Sequence, residues 1–395
     1  MDSSVDAMRF KVNQHSLFSA MPRVCHDIPN LVVFPFFQTI LINQQIKPMK
    51  KLFIFLMVLI PSALMAQTIT IATLHKTGGV QNFIGSLSLR QAVTAASHGD
   101  TIYLSGGTFM APDTINKSLV IIGAGHYPDS TLATGVTLVS TAMVLGENAD
   151  NSYIEGIRFM GNVTFATDKS VNDLTFRRCR FDLQFIYSTS NYWAPVATCN
   201  NNQIIECVFT GSDTRYFGNA RSLTISKCLF FMDWRTIENL TASTFINNIL
   251  FSSNGTYLFN TCYNNQIKNN LIRTVAGYPF SSGTGSYFVN NVCLGFTNTS
   301  FLPNVGVNNY QGVVLEGFFL NQDGWNFSYD HDYHLANPGS YPGDDGTQTG
   351  IYGTTGPYKD GAVPSNPHVR SKNIAVSTNA NGQLEVQIKV AAQQE

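Results

Sequence analysis

The stretch Ile154-Glu-Gly-Ile157-Arg-Phe159 returns as Phe176-Arg-Arg-Cys179-Arg-Phe181, Ile204-Ile-Glu-Cys207-Val-Phe209 and Ile225-Ser-Lys-Cys228-Leu-Phe230. It continues as Ile246-Asn-Asn-Ile249-Leu-Phe251, Ile267-Lys-Asn-Asn270-Leu-Ile272 and Val289-Asn-Asn-Val292-Cys-Leu294. The starts at 154, 176, 204, 225, 246, 267 and 289 are separated by 22, 28, 21, 21, 21 and 22 residues. A period of this kind marks a solenoid, in which each repeat buries its apolar side only by stacking on its neighbours. Each coil has room for three short strands and three bends. The pattern therefore predicts an all-β, single-stranded parallel β-helix of about 21–22 residues per coil.

The slots within the repeat carry further expectations. Phe159, Phe181, Phe209, Phe230 and Phe251, then Ile272 and Leu294, recur at one position and are expected to stack inside the coil. Cys179, Cys207 and Cys228 share an inward slot, where a free cysteine behaves as a small hydrophobe. Asn248, Asn269 and Asn291 share a polar slot, preceded in earlier coils by Gly156, Arg178, Glu206 and Lys227. Stacked asparagines can hydrogen-bond from coil to coil. A second copied phrase, Thr198-Cys-Asn-Asn-Asn-Gln-Ile204 and Thr261-Cys-Tyr-Asn-Asn-Gln-Ile267, places Cys199 and Cys262 three periods apart, too distant to pair. No C-x-x-C spacing appears, so no zinc site is expected.

With 12% charged residues and a net charge of -1, the chain lacks the basic excess of a nucleic-acid binder. Its 44% hydrophobic content argues against disorder. Lys50-Lys51, the apolar run Leu52 to Ile60 and the small-residue exit Pro61-Ser-Ala-Leu-Met-Ala66 read as a secretory signal peptide. The run is shorter than a membrane span. The expectation is an over-extended start over 1–48, a signal over 49–66 and a secreted, cell-surface or periplasmic mature chain without a membrane span. A cap over 67–100, a β-helix over 101–325 and a closing segment with tail over 326–395 follow, and a monomer is expected.

In the cap, Ser86 to Ser97 has a helical pattern, with Leu89, Ala92, Val93 and Ala96 on one face. Ser86 or Ser88 can cap its start and Gly99 can end it. A helix here would cover the raw strand edges at the solenoid's end. Gly123-Ala-Gly125 lacks the rest of a phosphate-binding loop and reads as a turn. Leu384 to Val390 alternates as a strand, read as a final edge or an attachment segment.

The capping helix with Gly99-Asp-Thr-Ile-Tyr-Leu104, Leu119-Val-Ile-Ile-Gly-Ala-Gly125, the Asn-Asn coils and the closing Asp332-Tyr-His-Leu335…Gly350-Ile-Tyr-Gly353 resemble the secreted right-handed parallel β-helix proteins of the pectin-lyase-like superfamily. The resemblance spans Ser86 to Gly353. It implies the fold and, through members that are polysaccharide lyases, glycoside hydrolases, esterases and adhesins, a polysaccharide partner. The polygalacturonase pattern of paired aspartates, Gly-His-Gly and Arg-x-Lys is missing; Gly125-His126-Tyr127 is a partial echo.

Two adjacent coils carry matching phrases ten or so residues past the repeat start, Asp213-Thr-Arg215-Tyr216 and Asp233-Trp234-Arg235. Alternation points Asp213 with Arg215, and Asp233 with Arg235, to one side. The carboxylates are candidates for a calcium ion or an acid/base pair. The arginines are candidates for binding a uronate in bidentate fashion. Tyr187, Tyr216, Trp234, Tyr257 and Tyr278 fall in or beside the same strand and suit sugar faces. A purely structural Asp–Arg ladder is the competing reading. Arg177, Arg178 and Arg180 read as a solvated turn, and His331, Asp332 and His334 as capping contacts. Two functions remain open: a polysaccharide-binding, conceivably cleaving, β-helix, or a surface protein whose solenoid is a spacer.

Overall fold

The computed structural model describes residues 69–186, 198–211, 218–232, 237–253, 257–275, 277–322 and 324–391. The expectations for 1–48 and for the signal over 49–66 lie outside the described residues. The described chain is a parallel β-solenoid of about 9 turns. Each coil contributes one strand to a twelve-stranded sheet, such as Tyr153–Glu155, and one to a ten-stranded sheet, such as Arg158–Phe159. A third face is built from Thr114–Ile115, Met143–Leu145, Val163–Phe165 and Phe185–Ile186. It continues in short separate pairs, Cys199–Asn200 with Ala220–Arg221 and Ile237–Glu238 with Phe259–Asn260.

The bend between the two large sheets explains the repeat. Gly156, Arg178, Glu206, Lys227, Asn247, Asn269, Asn290 and Asn308 all take left-handed backbone there, with φ between 50° and 71°. Asparagine tolerates that region better than most residues, which accounts for its abundance in later coils. The next residue in each coil points inward and forms one continuous ladder. Cys179 N–H meets Cys207 Sγ at 3.4 Å, and Cys207 N–H meets Cys228 Sγ at 3.4 Å. Cys228 N–H then donates to Asn248 Oδ1 at 2.8 Å, Asn248 to Asn270 at 2.8 Å, Asn270 to Asn291 at 3.0 Å and Asn291 to Asn309 at 2.9 Å.

Two expected positions are corrected here. Strand register sets Phe245 beside Ile225 and Ile267, and Phe288 beside Ile267, so these coils begin one residue earlier than Ile246 and Val289. The ladder asparagines are accordingly Asn248, Asn270, Asn291 and Asn309, while Asn269 belongs to the left-handed column. The inward ladder runs Phe230, Leu250, Ile272, Cys293, and Phe251 and Leu294 face outward. Phase was ambiguous because the ten-stranded sheet is buried on both faces, so both strand faces are apolar. The phenylalanines of the earlier coils do stack, with ring centroids 5.3 Å, 4.8 Å and 4.4 Å apart from Phe159 to Phe230. All six described cysteines are free and buried.

Asn270 shows what the ladder is worth. Its Oδ1 accepts from both the backbone and Nδ2 of Asn248, and its Nδ2 donates to Phe245 O at 3.0 Å. Asn270→Ala strands these partners in the core, and the expected cost is about 3 kcal/mol from urea unfolding.

At the N-terminal end the helix (α1) spans Ser88–Ala95 and buries Leu89, Ala92 and Val93, with Ala96 buried just beyond. Neither serine caps it: Leu87 is the N-cap and no side-chain cap bond forms. Its C-terminal end is satisfied by Lys117, whose Nζ donates to the carbonyls of Val93, Thr94 and Ala96 at 3.0, 3.1 and 2.6 Å. The sheet is also continued by an unanticipated antiparallel hairpin, Ile71–Lys76 with Gly79–Ile84, against which α1 packs.

The C-terminal region does more than close the far end. Phe318, Phe319, Tyr333, Leu335, Ile351 and Tyr358 cover the outer face of the ten-stranded sheet, packing on Phe231, Ile249, Phe251, Leu271 and Leu294. The chain then runs back along the left-handed column as a strap. Asn269 holds Asp344 at 2.6 Å, Asn247 holds Gly350 O at 3.0 Å, and Lys227 donates to Gly356 O. Arg178 donates to Val363 O at 3.0 Å, and Ser365 Oγ to Glu155 at 3.0 Å. Gly156 has φ 71° and lies against Pro364, leaving no room for a side chain. Beyond the strap, Val386–Ala391 pairs antiparallel with His368–Ile374.

The arginine cluster is not a solvated turn. Arg178 is 0% exposed and its Nε lies 2.5 Å from Glu206, with Nη1 3.3 Å from the equally buried Glu155. Arg180 pairs with Asp182 at 2.7 Å and lies over the rings of Phe327 and Tyr329. The carboxylates come from the same and neighbouring coils, while the C-terminal region adds the Val363 carbonyl and the Phe327 and Tyr329 rings.

Candidate functional site

Of the expected site residues, Tyr187, Asp213, Arg215, Tyr216, Asp233, Trp234 and Arg235 lie outside the described residues, and with them the expected calcium site. Tyr257 and Tyr278 are described and meet on adjacent coils, with ring centroids 5.0 Å apart at 40°. They precede Phe259 and Phe280, which bridge in parallel on the third face. A hydrogen bond with Tyr278 raises the Tyr257 phenol above its ordinary pKa.

The richest assembly of polar chemistry lies elsewhere, where the strap crosses the outside of the ten-stranded sheet. Asp332–Leu335 pairs antiparallel with Phe319–Asn321. Its alternation buries Tyr333 and Leu335 and turns Asp332 and His334 outward. Asp332 Oδ1 accepts from His334 N–H at 3.0 Å and sits 2.7 Å from His334 Nδ1. That contact commits Nδ1–H to the carboxylate and leaves Nε2 as the basic nitrogen. The His334 ring stacks on Tyr352 at 3.6 Å and 13°, and the Tyr352 hydroxyl donates to Asp360 Oδ1 at 2.6 Å. A run of Asp332, His334, Tyr352 and Asp360 results.

A cleft of about 210 Å³ opens beside this run, lined also by Tyr127, Tyr329, Tyr333 and Tyr358. A neighbouring depression of about 410 Å³ shares His334 and Tyr352 with it. The Tyr127 and Tyr358 hydroxyls are 3.3 Å apart. Behind them His126, 1% exposed, approaches the Tyr329 hydroxyl through Nδ1 at 3.2 Å.

The electrostatics follow from burial and partners. Burial opposes the charge on Asp332, but the backbone and ring hydrogen bonds from His334 outweigh it and hold the carboxyl below its ordinary value. Burial, then the hydrogen bond to Asp360, raises the Tyr352 phenol; burial likewise raises Tyr127, Tyr333 and Tyr358. These phenols are therefore neutral. Burial and the nearby Arg180 and Arg158 push His126 down to about 3. Ionised carboxylates, neutral hydroxyls and flat rings together suit recognition of a polyhydroxylated ligand.

Sequence reasoning singled out His331, Asp332 and His334 and the Gly350-Ile-Tyr-Gly353 phrase, but gave them closing roles. The capping hydrogen bond is present. The missed partners are Tyr127, Tyr352, Tyr358 and Asp360. Tyr127 and Tyr358 are 231 residues apart in sequence, and the period that organises the coils says nothing of how the strap lies. Among the described residues no group of three or more His, Cys, Asp and Glu could hold a metal ion, and no helix is long and apolar enough to cross a membrane.

No family model matches the chain, and neither the curated proteins nor the solved structures contain a match.

Proposed function

We propose that this protein is an exported β-helix that binds a polysaccharide in the strap cleft. The observation that carries the reading is the His334–Tyr352 stack, edged by Asp332 and Asp360 and opening on a cleft rich in tyrosine. Sugar rings present apolar faces to aromatic rings and hydroxyls to carboxylates, and this cleft offers both within one short run. The resemblance to pectin-lyase-like proteins and the signal-like Lys50 to Ala66 point the same way. Tyr257 and Tyr278 add a second exposed aromatic pair. If the bound glycan is also cut, the Asp332-oriented His334 is the candidate base.

The test is a glycan array followed by titration calorimetry on the oligosaccharide retained. Tyr352→Ala is expected to weaken binding by about tenfold or more. New reducing ends or unsaturated uronate absorbance on incubation would add turnover to binding. The spacer reading is favoured by the uninterrupted side-chain ladders, which stiffen the solenoid whatever it binds. It requires that no glycan bind at all.

A further inference from the structure

We propose that the strap cleft selects glycans carrying a protonated amino group, such as glucosamine units, over N-acetylated and uronate-containing chains. The inference rests on the carbohydrate reading above and specifies its ligand.

The argument begins with how the two carboxylates are used. Asp332 receives both of its His334 bonds on Oδ1, and Asp360 receives the Tyr352 hydroxyl on Oδ1. Each keeps its other oxygen for a ligand. Asp360 is exposed and Asp332 half-exposed, so both anions face the solvent from which a ligand arrives. Among the described residues no lysine or arginine lines the cleft. The neighbouring arginines are paired away from the cleft carboxylates: Arg180 and Arg158 both bind Asp182, at 2.7 and 2.6 Å, with Arg180 lying behind the Tyr329 ring.

The aromatic lining acts in the same sense. Tyr127, Tyr329, Tyr333, Tyr352 and Tyr358 surround the cleft; Arg180 already lies over the Tyr329 ring and His334 over the Tyr352 ring, so the remaining phenol rings offer the partial negative charge of their faces. A compact ammonium is attracted by ring faces and carboxylates together, and its N–H groups make charge-assisted hydrogen bonds to the free oxygens. A uronate brings a third negative charge to the same place and is repelled. An N-acetyl group is neutral and gains neither attraction. Asp332 stays ionised across the neutral range because His334 holds its carboxyl low.

The experiment compares affinities of the intact chain, by calorimetry at neutral pH, for fully deacetylated chitooligosaccharide, its N-acetylated form, its N-trimethylated form and oligogalacturonate. The deacetylated oligomer is expected to bind at least about tenfold more tightly than the N-acetylated one. The permanently charged trimethylated oligomer should retain the advantage due to charge on the rings. Asp360→Asn and, separately, Asp332→Asn should each reduce the preference several-fold, with thermal melts verifying the fold. Equal binding of the amine and N-acetyl forms, or a preference for oligogalacturonate, overturns the inference while leaving the carbohydrate reading intact. Failure of every glycan, on these oligomers and on the array, overturns both.

Discussion

Arg178→Ala is expected to lower the unfolding free energy by about 3–5 kcal/mol, among the largest effects of any single substitution in this chain. The guanidinium is 0% exposed, sits between Glu155 and Glu206, and also donates to the strap at Val363 O. Removing it takes the ion-pair partner from buried Glu155, leaves Glu206 only the Arg177 guanidinium at 3.6 Å, and leaves a strap carbonyl without a donor. Breaking a buried pair from one side is costly because the remaining charge stays desolvated. Arg178→Met combined with Glu155→Gln and Glu206→Gln should recover part of the loss, since neither buried carboxylate is then stranded, although Arg177 loses Glu206 as its partner. Urea unfolding at neutral pH measures both; an unchanged midpoint in Arg178→Ala would refute the account. The same substitution should loosen residues 363–365, read as faster amide exchange in the strap.

Acid should destabilise the fold through His126 before the carboxylates titrate. Its pKa is pushed from 6.5 to about 3 by burial and by Arg180 and Arg158. The sign follows from where protons bind. Below the ordinary value the unfolded chain takes up a proton on this ring that the folded chain refuses, so stability falls as pH falls through the window from 6.5 to about 3. Above 6.5 both states are neutral and the group contributes no slope. The limiting slope is about 1.4 kcal/mol per pH unit, and the whole window amounts to roughly 5 kcal/mol. Asp332, whose carboxyl is held below 3.8, adds its own loss only at the acid end of that range. His126→Phe removes the slope between pH 6.5 and about 4.5 whatever it does to stability at neutral pH. A wild-type curve flat across that interval would refute the assignment.

The strap ties these two predictions to the candidate site. Arg178 anchors it near Val363, and His126 backs the tyrosines that line the cleft. The aromatic cleft therefore depends on a return of the chain across the scaffold.

Several features were legible residue by residue. Cys179, Cys207 and Cys228 do share one inward slot, and the 21-residue spacing of their later steps is the height of a coil translated into sequence. The same reasoning misplaced Phe251 by one residue, because the strap makes its outward face as apolar as the inward one. In the sequence Arg178 reads with Arg177 and Arg180 as a solvated turn, whereas Glu155 and Glu206 one coil away and the Val363 carbonyl of the strap bury it. The site expected around Arg215 and Arg235 lies outside the described residues, while Asp332 and His334 were visible only as a closing phrase.

By itself the sequence determined the solenoid, its period, the capping helix face and the inward ladders as far as Cys228 and Phe230. These depend on contacts one coil away, and identical neighbours impose identical slots, so local pattern suffices. Tertiary structure alone decided the path of residues 338–365, the docking of Val363 on Arg178 and the meeting of Tyr127 with Tyr358. Those contacts join segments without a shared period, and they are set by which outer face needs covering and which charges need partners.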